Sequence, residues 1–101
     1  MQVITSQDGN KGIIKLSGRF DFNKHREFRG AYEPMLTQAD IAEIVVDMGT
    51  VDYLDSSALG MLLMLKDKVS SSKKQVTLTN VGGSVLQVLD IANFGKLFKI
   101  V

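Results

Sequence analysis

Asp47-Met48-Gly49-Thr50-Val51-Asp52-Tyr53-Leu54-Asp55-Ser56-Ser57-Ala58-Leu59-Gly60 follows the β-branched run Ile44-Val45-Val46 and leads into a segment of helical periodicity. Three consecutive β-branched residues read as a buried strand over residues 42–48, with both faces covered. Beyond Ser57, the residues Ala58, Met61, Leu62, Leu65 and Val69 recur at helical spacing and form one apolar stripe, so residues 57–70 read as a helix. Between them, residues 47–55 read as a loop rich in acids. A strand feeding a helix through such a loop is the repeating unit of a parallel α/β sheet. Sites in these sheets collect beyond the C-terminal ends of the strands, which is where this loop lies.

The flanks extend the pattern. Residues 2–6 and 12–17 are β-type runs around Asp8-Gly9-Asn10, a hairpin signal because Asp and Gly tolerate positive φ. In the second run Ile14 and Leu16 alternate with Ile13, Lys15 and Ser17, and Gly18 is expected to end it. Residues 24–37 carry Phe28, Ala31, Tyr32, Met35 and Leu36 on one helical stripe, with Asn23 as the expected N-cap. Pro34 should kink the last turn of that helix or end it early. Residues 75–79 read as a strand with Val76 and Leu78 inward. Gly82-Gly83 opens a helix over 84–92 with Val85, Leu86, Leu89 and Val88 inward, and 97–101 is a short last strand. The order ββαβαβαβ predicts an α/β fold. Its mixed sheet has about five strands, an N-terminal antiparallel hairpin and three main helices joined by right-handed crossovers.

A chain of 101 residues is expected to form a single domain over residues 1–101. With 12 basic and 11 acidic residues its net charge is +1, which supplies no general attraction to nucleic acid or anionic lipid. The absence of cysteine removes disulfides, thiolate nucleophiles and sulfur-based zinc sites, and the lone His25 removes any multi-histidine metal site. No metal and no cofactor is expected. The first residues carry no basic region followed by a long apolar run, and Met61–Leu65 is far too short to span a bilayer, so neither a signal peptide nor membrane insertion is expected.

At the start of the second helix the backbone N–H groups lack partners and the helix dipole presents partial positive charge. A serine there is well placed to carry a phosphate; the bland alternative is that Asp55 or Ser56 merely caps the helix. Projected at about 100° per residue, Leu59 and Leu63 widen the apolar stripe, and Ser57, Gly60, Met64 and Lys68 fall on the remaining face. That strip offers a hydroxyl, then a turn without a side chain, then an adaptable methionine, which suits a docked partner. The alternative is that Gly60 only permits tight packing against a neighbouring element.

Val45-Val46-Asp47 followed by Val51-Asp52-Tyr53-Leu54-Asp55-Ser56-Ser57-Ala58-Leu59-Gly60 resembles the signature of the STAS domain of bacterial anti-sigma factor antagonists. Gly18-Arg19-Phe20-Asp21 is similar to that family's segment after the second strand. Asn80-Val81, Val85-Leu86-Gln87-Val88-Leu89 and Gly95-Lys96-Leu97-Phe98-Lys99-Ile100 resemble its C-terminal third. The likeness runs in order over essentially the whole chain. Ala58 stands where the family often has Gly, Gly82-Gly83 replaces a Pro-containing helix start, and Pro34 falls inside the first helix.

The resemblance implies a cytoplasmic phosphorylation switch, monomeric when free. Ser57 corresponds to the phosphorylated serine, with Ser56 the less favoured position. Asp55 is the acid of the motif and Asp21 matches a family acid near the phosphosite. The implied partners are an anti-sigma factor or serine kinase of the histidine-kinase-like ATPase fold, and a PP2C-type phosphatase that restores the unmodified form. Nucleic acid is not contacted directly. The same resemblance leaves a second class open, a STAS regulatory subunit of a membrane lipid-transport ATPase. A third class, an enzyme with Ser57, His25 and an aspartate as a triad, lacks the Gly-x-Ser-x-Gly turn.

Overall fold

The structure is a computed structural model and describes residues 2–101. Five strands form one sheet in the order β1-β2-β3-β4-β5: β1 (Gln2–Asp8), β2 (Lys11–Phe20), β3 (Glu43–Leu54), β4 (Gln75–Thr79) and β5 (Lys99–Ile100). The β1–β2 pair is antiparallel and the other three pairs are parallel. Three helices connect them: α1 (His25–Leu36), α2 (Ser56–Ser71) and α3 (Gly83–Ile91). The mixed α/β architecture with its opening hairpin and three helices is the one the sequence predicts.

The hairpin is longer than expected. Asp8 pairs with Lys11, leaving Gly9-Asn10 as a two-residue loop with φ of 60° at Gly9. Positive φ is needed only at the first loop position, as in a type II′ turn. Gly18 does not end β2. It adopts φ of 87° beside a register shift, and the strand runs on to the buried Phe20. A glycine in this conformation absorbs an extra residue as a bulge.

The larger correction concerns β3. Residues 47–54, expected as loop, pair with β2 as far as Phe20↔Leu54. Met48, Val51 and Leu54 are buried at every third position, and the register shifts after Lys15 and Gly18 account for that spacing. Acidic and polar residues here occupy the outward positions of a bulged strand, a pattern that masks the period of two. The both-faces-covered reading of Ile44-Val45-Val46 is also corrected. Ile44, Val46 and Met48 are buried, and Val45 and Asp47 are half-buried on the opposite face. Gly12, Ile14 and Leu16 of β2, with Leu78 of β4, share the buried face. Helix residues Phe28, Tyr32, Met35, Met61, Leu62, Leu65, Val69, Val85 and Leu89 join them in a single core. The other face carries Lys11, Lys15, Glu43, Asp47 and Thr77, and Thr77 Oγ1 donates to the Glu43 carboxylate.

Three smaller differences have local causes. A 3₁₀ turn, Phe22–Lys24, precedes α1, and its side-chain cap is Asp21, whose Oδ1 accepts the Asn23 N–H at 3.1 Å; Asn23 caps nothing. Pro34 neither ends α1 nor shortens it below Leu36. It leaves the Gly30 carbonyl without its i+4 donor, but only Met35 and Leu36 follow it in the helix, so little helix lies beyond the interruption. The last strand shrinks to Lys99–Ile100 because Phe94–Lys96 forms a 3₁₀ turn.

Candidate functional site

Strands β2 and β3 end side by side, through Phe20↔Leu54. Each then passes through one extended aspartate into a helical turn. Asp55 has φ of −115° and ψ of −175°, and its Oδ1 accepts the Ala58 N–H at 3.0 Å. Its carbonyl takes the Leu59 N–H at 3.2 Å. Asp55 is therefore the N-cap of α2, and the expectation that Asp55 or Ser56 caps this helix is met by Asp55. Ser56 and Ser57 become the first two residues of α2, with Ser56 exposed and Ser57 half-buried. Their N–H groups have no carbonyl one turn back within the helix. Because Asp55 closes the helix, neither hydroxyl is needed for capping.

Asp21 occupies the matching place on β2. Its carboxylate caps the 3₁₀ turn and lies 3.7 Å from Arg19 Nε. Arg19 in turn stands over the Tyr53 ring, 4.1 Å from its centroid, across the Arg19↔Tyr53 register pair. Down α2, Gly60, Met64 and Lys68 are all exposed, while Ala58, Met61, Leu62, Leu65 and Val69 are buried. A Cβ built on Gly60 meets nothing within 4 Å. The tight-packing explanation of Gly60 is thereby removed, and the strip Ser57, Gly60, Met64, Lys68 lies open along the helix. His25 is the first residue of α1 and half-buried.

The profile of the family described as "Mlab, STAS domain" matches residues 3–101. The chain belongs to the STAS-domain family. A STAS-domain containing protein of Pseudomonas aeruginosa (strain UCBPP-PA14) is 44% identical over 97 residues, covering 96% of this chain and 94% of that one. Among solved structures, the unphosphorylated form of the Bacillus anti-sigma factor antagonist SpoIIAA superposes with a TM-score of 0.76 at 15% identity, over 99% of this chain and 87% of that one. An anti-sigma factor antagonist from Mycobacterium paratuberculosis gives 0.85 at 15% identity, over 98% and 83%. A sulfate transporter family protein from Wolinella succinogenes gives 0.78 at 14% identity, over 90% and 75%. At these identities the likeness establishes a shared fold.

The STAS fold accounts for the position of Asp55-Ser56-Ser57 but not for the exposed aromatics around it. Phe22 is 72% exposed and Tyr53 41%. The sequence reading singled out neither. Tyr53 was hidden in a segment read as loop. Phe22 has a legible signal: a large apolar residue directly after a capping Asp, outside the stripe of the helix that follows. Among the described residues no helix is long and apolar enough to cross a membrane.

Proposed function

We propose that this STAS domain is an anti-sigma factor antagonist whose binding to an anti-sigma factor or serine kinase is switched by phosphorylation of Ser57. The observation that carries the reading is the division of labour at the start of α2: Asp55 makes the capping bond, and the two serines are left with hydroxyls the fold does not use. The open strip of Gly60, Met64 and Lys68 continues from Ser57 as a docking face. On this reading the chain is the substrate of a kinase of the histidine-kinase-like ATPase fold and of a PP2C-type phosphatase, acts in the cytoplasm, and performs no catalysis itself.

Local physics suffices for the switch. A phosphate adds about −1.5 to −2 charge at pH 7. In the free protein the helix start favours it by roughly 0.3–1 kcal/mol. In a complex, one like-charge contact at about 4 Å costs on the order of 4 kcal/mol at an effective dielectric of 20. About 3–4 kcal/mol corresponds to a 100- to 1,000-fold change in affinity. No refolding is required.

Intact mass and site mapping on protein from its native cells, with co-purifying partners identified, tests this. The expected result is one phosphate on Ser57 and an ATPase-fold kinase or anti-sigma factor in the complex. Ser57→Ala should bind and resist phosphorylation, and Ser57→Asp should bind at least ten-fold more weakly. An unmodified Ser57 under every growth condition, with a membrane ATPase as the partner, would transfer the chain to the transporter-subunit class and leave Asp55-Ser56-Ser57 as a helix cap.

A further inference from the structure

The fold gives no internal reason for the surface made by Phe22, Arg19 and Tyr53. Phe22 is the most exposed aromatic side chain of the described residues, at 72%. Its backbone belongs to a hydrogen-bonded turn: Asp21 accepts the Asn23 N–H through its side chain and the Lys24 N–H through its carbonyl at 3.0 Å. A fixed backbone lowers the ordering cost of using an aromatic as an anchor. Tyr53 is fixed beneath the Arg19 guanidinium, whose side chain is 63% exposed. Tyr and Arg are enriched among residues that dominate interface energies. Two cations follow, Lys24 at the N-cap of α1 and Arg26 in its first turn, with Glu27 as the acid of the same turn. The helix dipole disfavours positive charge there, so helix stability does not explain them. The strand pair Phe20↔Leu54 sets this cationic, aromatic junction directly beside the Asp55-Ser56-Ser57 junction.

We infer that Phe22 is the anchor of the partner complex, entering an apolar pocket of the kinase or anti-sigma factor whose acidic rim meets Arg19, Lys24 and Arg26. The inference rests on the partner-switch reading and adds a direction to it. A rim of carboxylates that matches the cations of one junction lies next to Ser57 of the other. It repels the phosphate there, so attraction at Phe22 and repulsion at Ser57 come from the same partner surface.

The test uses the full chain and the purified kinase or anti-sigma factor identified by the pull-down above. Phe22→Ala should weaken binding about 10- to 100-fold with an unchanged unfolding midpoint. Arg26→Glu should slow association and flatten its salt dependence. A benzophenone-bearing residue in place of Phe22 should crosslink that partner in cells, and should fail to do so in the Ser57→Asp background. The same residue in place of the exposed Gln75, at the opposite end of the sheet, should not crosslink it. Loss of binding in Ser57→Asp with Phe22→Ala binding within twofold of wild type, or no crosslink from position 22, overturns the anchor and leaves the switch standing. Loss in Phe22→Ala with Ser57→Asp unaffected does the reverse.

Discussion

The two ends of the sheet are built differently. At the end where β2, β3 and β4 begin, loops and side chains are stitched together. The Gln7 side chain donates to Asp40 Oδ2 and to the Gly9 carbonyl, each at 3.0 Å, and accepts from Gln38 at 2.8 Å. Lys74 Nζ donates to the Gln38 carbonyl at 2.9 Å and to that of Ile41. The Asn10 carbonyl takes the N–H of Ala42 at 2.8 Å, and the Ala42 carbonyl takes that of Gln75 at 3.0 Å. Gly12 is packed so closely that a Cβ would lie 2.7 Å from Met35 Sδ. At the other end, β2 and β3 are bulged, each junction hangs on one aspartate, and Phe22, Tyr53, Gly60 and Met64 face outward. The Gln7 and Lys74 stitches lie at the first end, and Phe22, Tyr53, Gly60 and Met64 stand open at the second. Substitutions at the stitched end should therefore change stability without changing binding, and those at the open end should change binding more than stability.

The largest stability effect expected from this contrast is at Lys74. Lys74→Met removes the donor from two part-buried carbonyls, those of Gln38 and Ile41. The Gln38 carbonyl keeps the Ile41 N–H at 3.1 Å, so the Ile41 carbonyl alone is left without a donor, at a cost toward the lower end of about 1–3 kcal/mol. The urea midpoint should fall with an unchanged slope, and affinity for the partner should stay within twofold. A Lys74→Met protein that lost binding while keeping its midpoint would erase the distinction between the ends.

The two caps come next, and they sharpen the comparison inside the open end. Asp55 caps the 16-residue α2, whereas Asp21 caps a three-residue turn. Asp55→Ala should cost about 1 kcal/mol, within the usual 0.5–2 range for N-caps. Asp21→Ala should cost less than half of that in the same denaturation series. Equal losses would mean that the Asp21–Arg19 pair matters as much as the cap it accompanies.

Legibility in the sequence followed the range of the interaction and not the end of the sheet. The stripe Ala58, Met61, Leu62, Leu65, Val69 is buried as its spacing requires, because a period of 3.6 is hard to produce by accident over about three turns. Local chemistry narrows the cap to Asp55 or Ser56, and the bond to the Ala58 N–H selects Asp55. By contrast, residues 47–54 concealed a strand, because bulges broke the alternation that marks one. The Arg19–Tyr53 stack depends on a pairing between β2 and β3 across more than thirty residues of sequence. No local pattern carries such a contact. The stitches of the other end are equally non-local, joining Gln7 to Gln38 and Asp40 and Lys74 to Ile41.

Gly60→Ala separates the two quantities in opposite directions. Gly60 is exposed on α2 and space for a Cβ is free. Replacing glycine inside a helix should raise stability by about 0.5–1 kcal/mol. If the strip is a docking face, the added methyl group should at the same time weaken partner binding. A more stable protein that binds as well as wild type would remove Gly60 from the interface and leave Ser57 and Met64 to be tested alone.

The smallest effect belongs to pH and to the stitched end. The Gln7 and then the Gln38 side chain stabilise the Asp40 carboxylate, with desolvation working the other way, and its pKa lies below the ordinary value of 3.8. A depressed folded-state pKa contributes stability that is complete above the unfolded value and disappears as pH falls through the folded one. Wild type should therefore exceed Asp40→Asn slightly at pH 6, and the gap should close below about pH 4, where unfolded aspartate begins to take up protons. Asp40 is exposed, so the gap should also shrink in high salt. Unfolding midpoints of the two proteins at pH 6 and at pH 3 measure it. A gap of the same size at both values would mean that the Gln7–Asp40 contact acts as a neutral hydrogen bond. That contact would then owe nothing to charge, and charge at the stitched end would rest on the Lys74 ammonium and the Lys11–Glu43 pair.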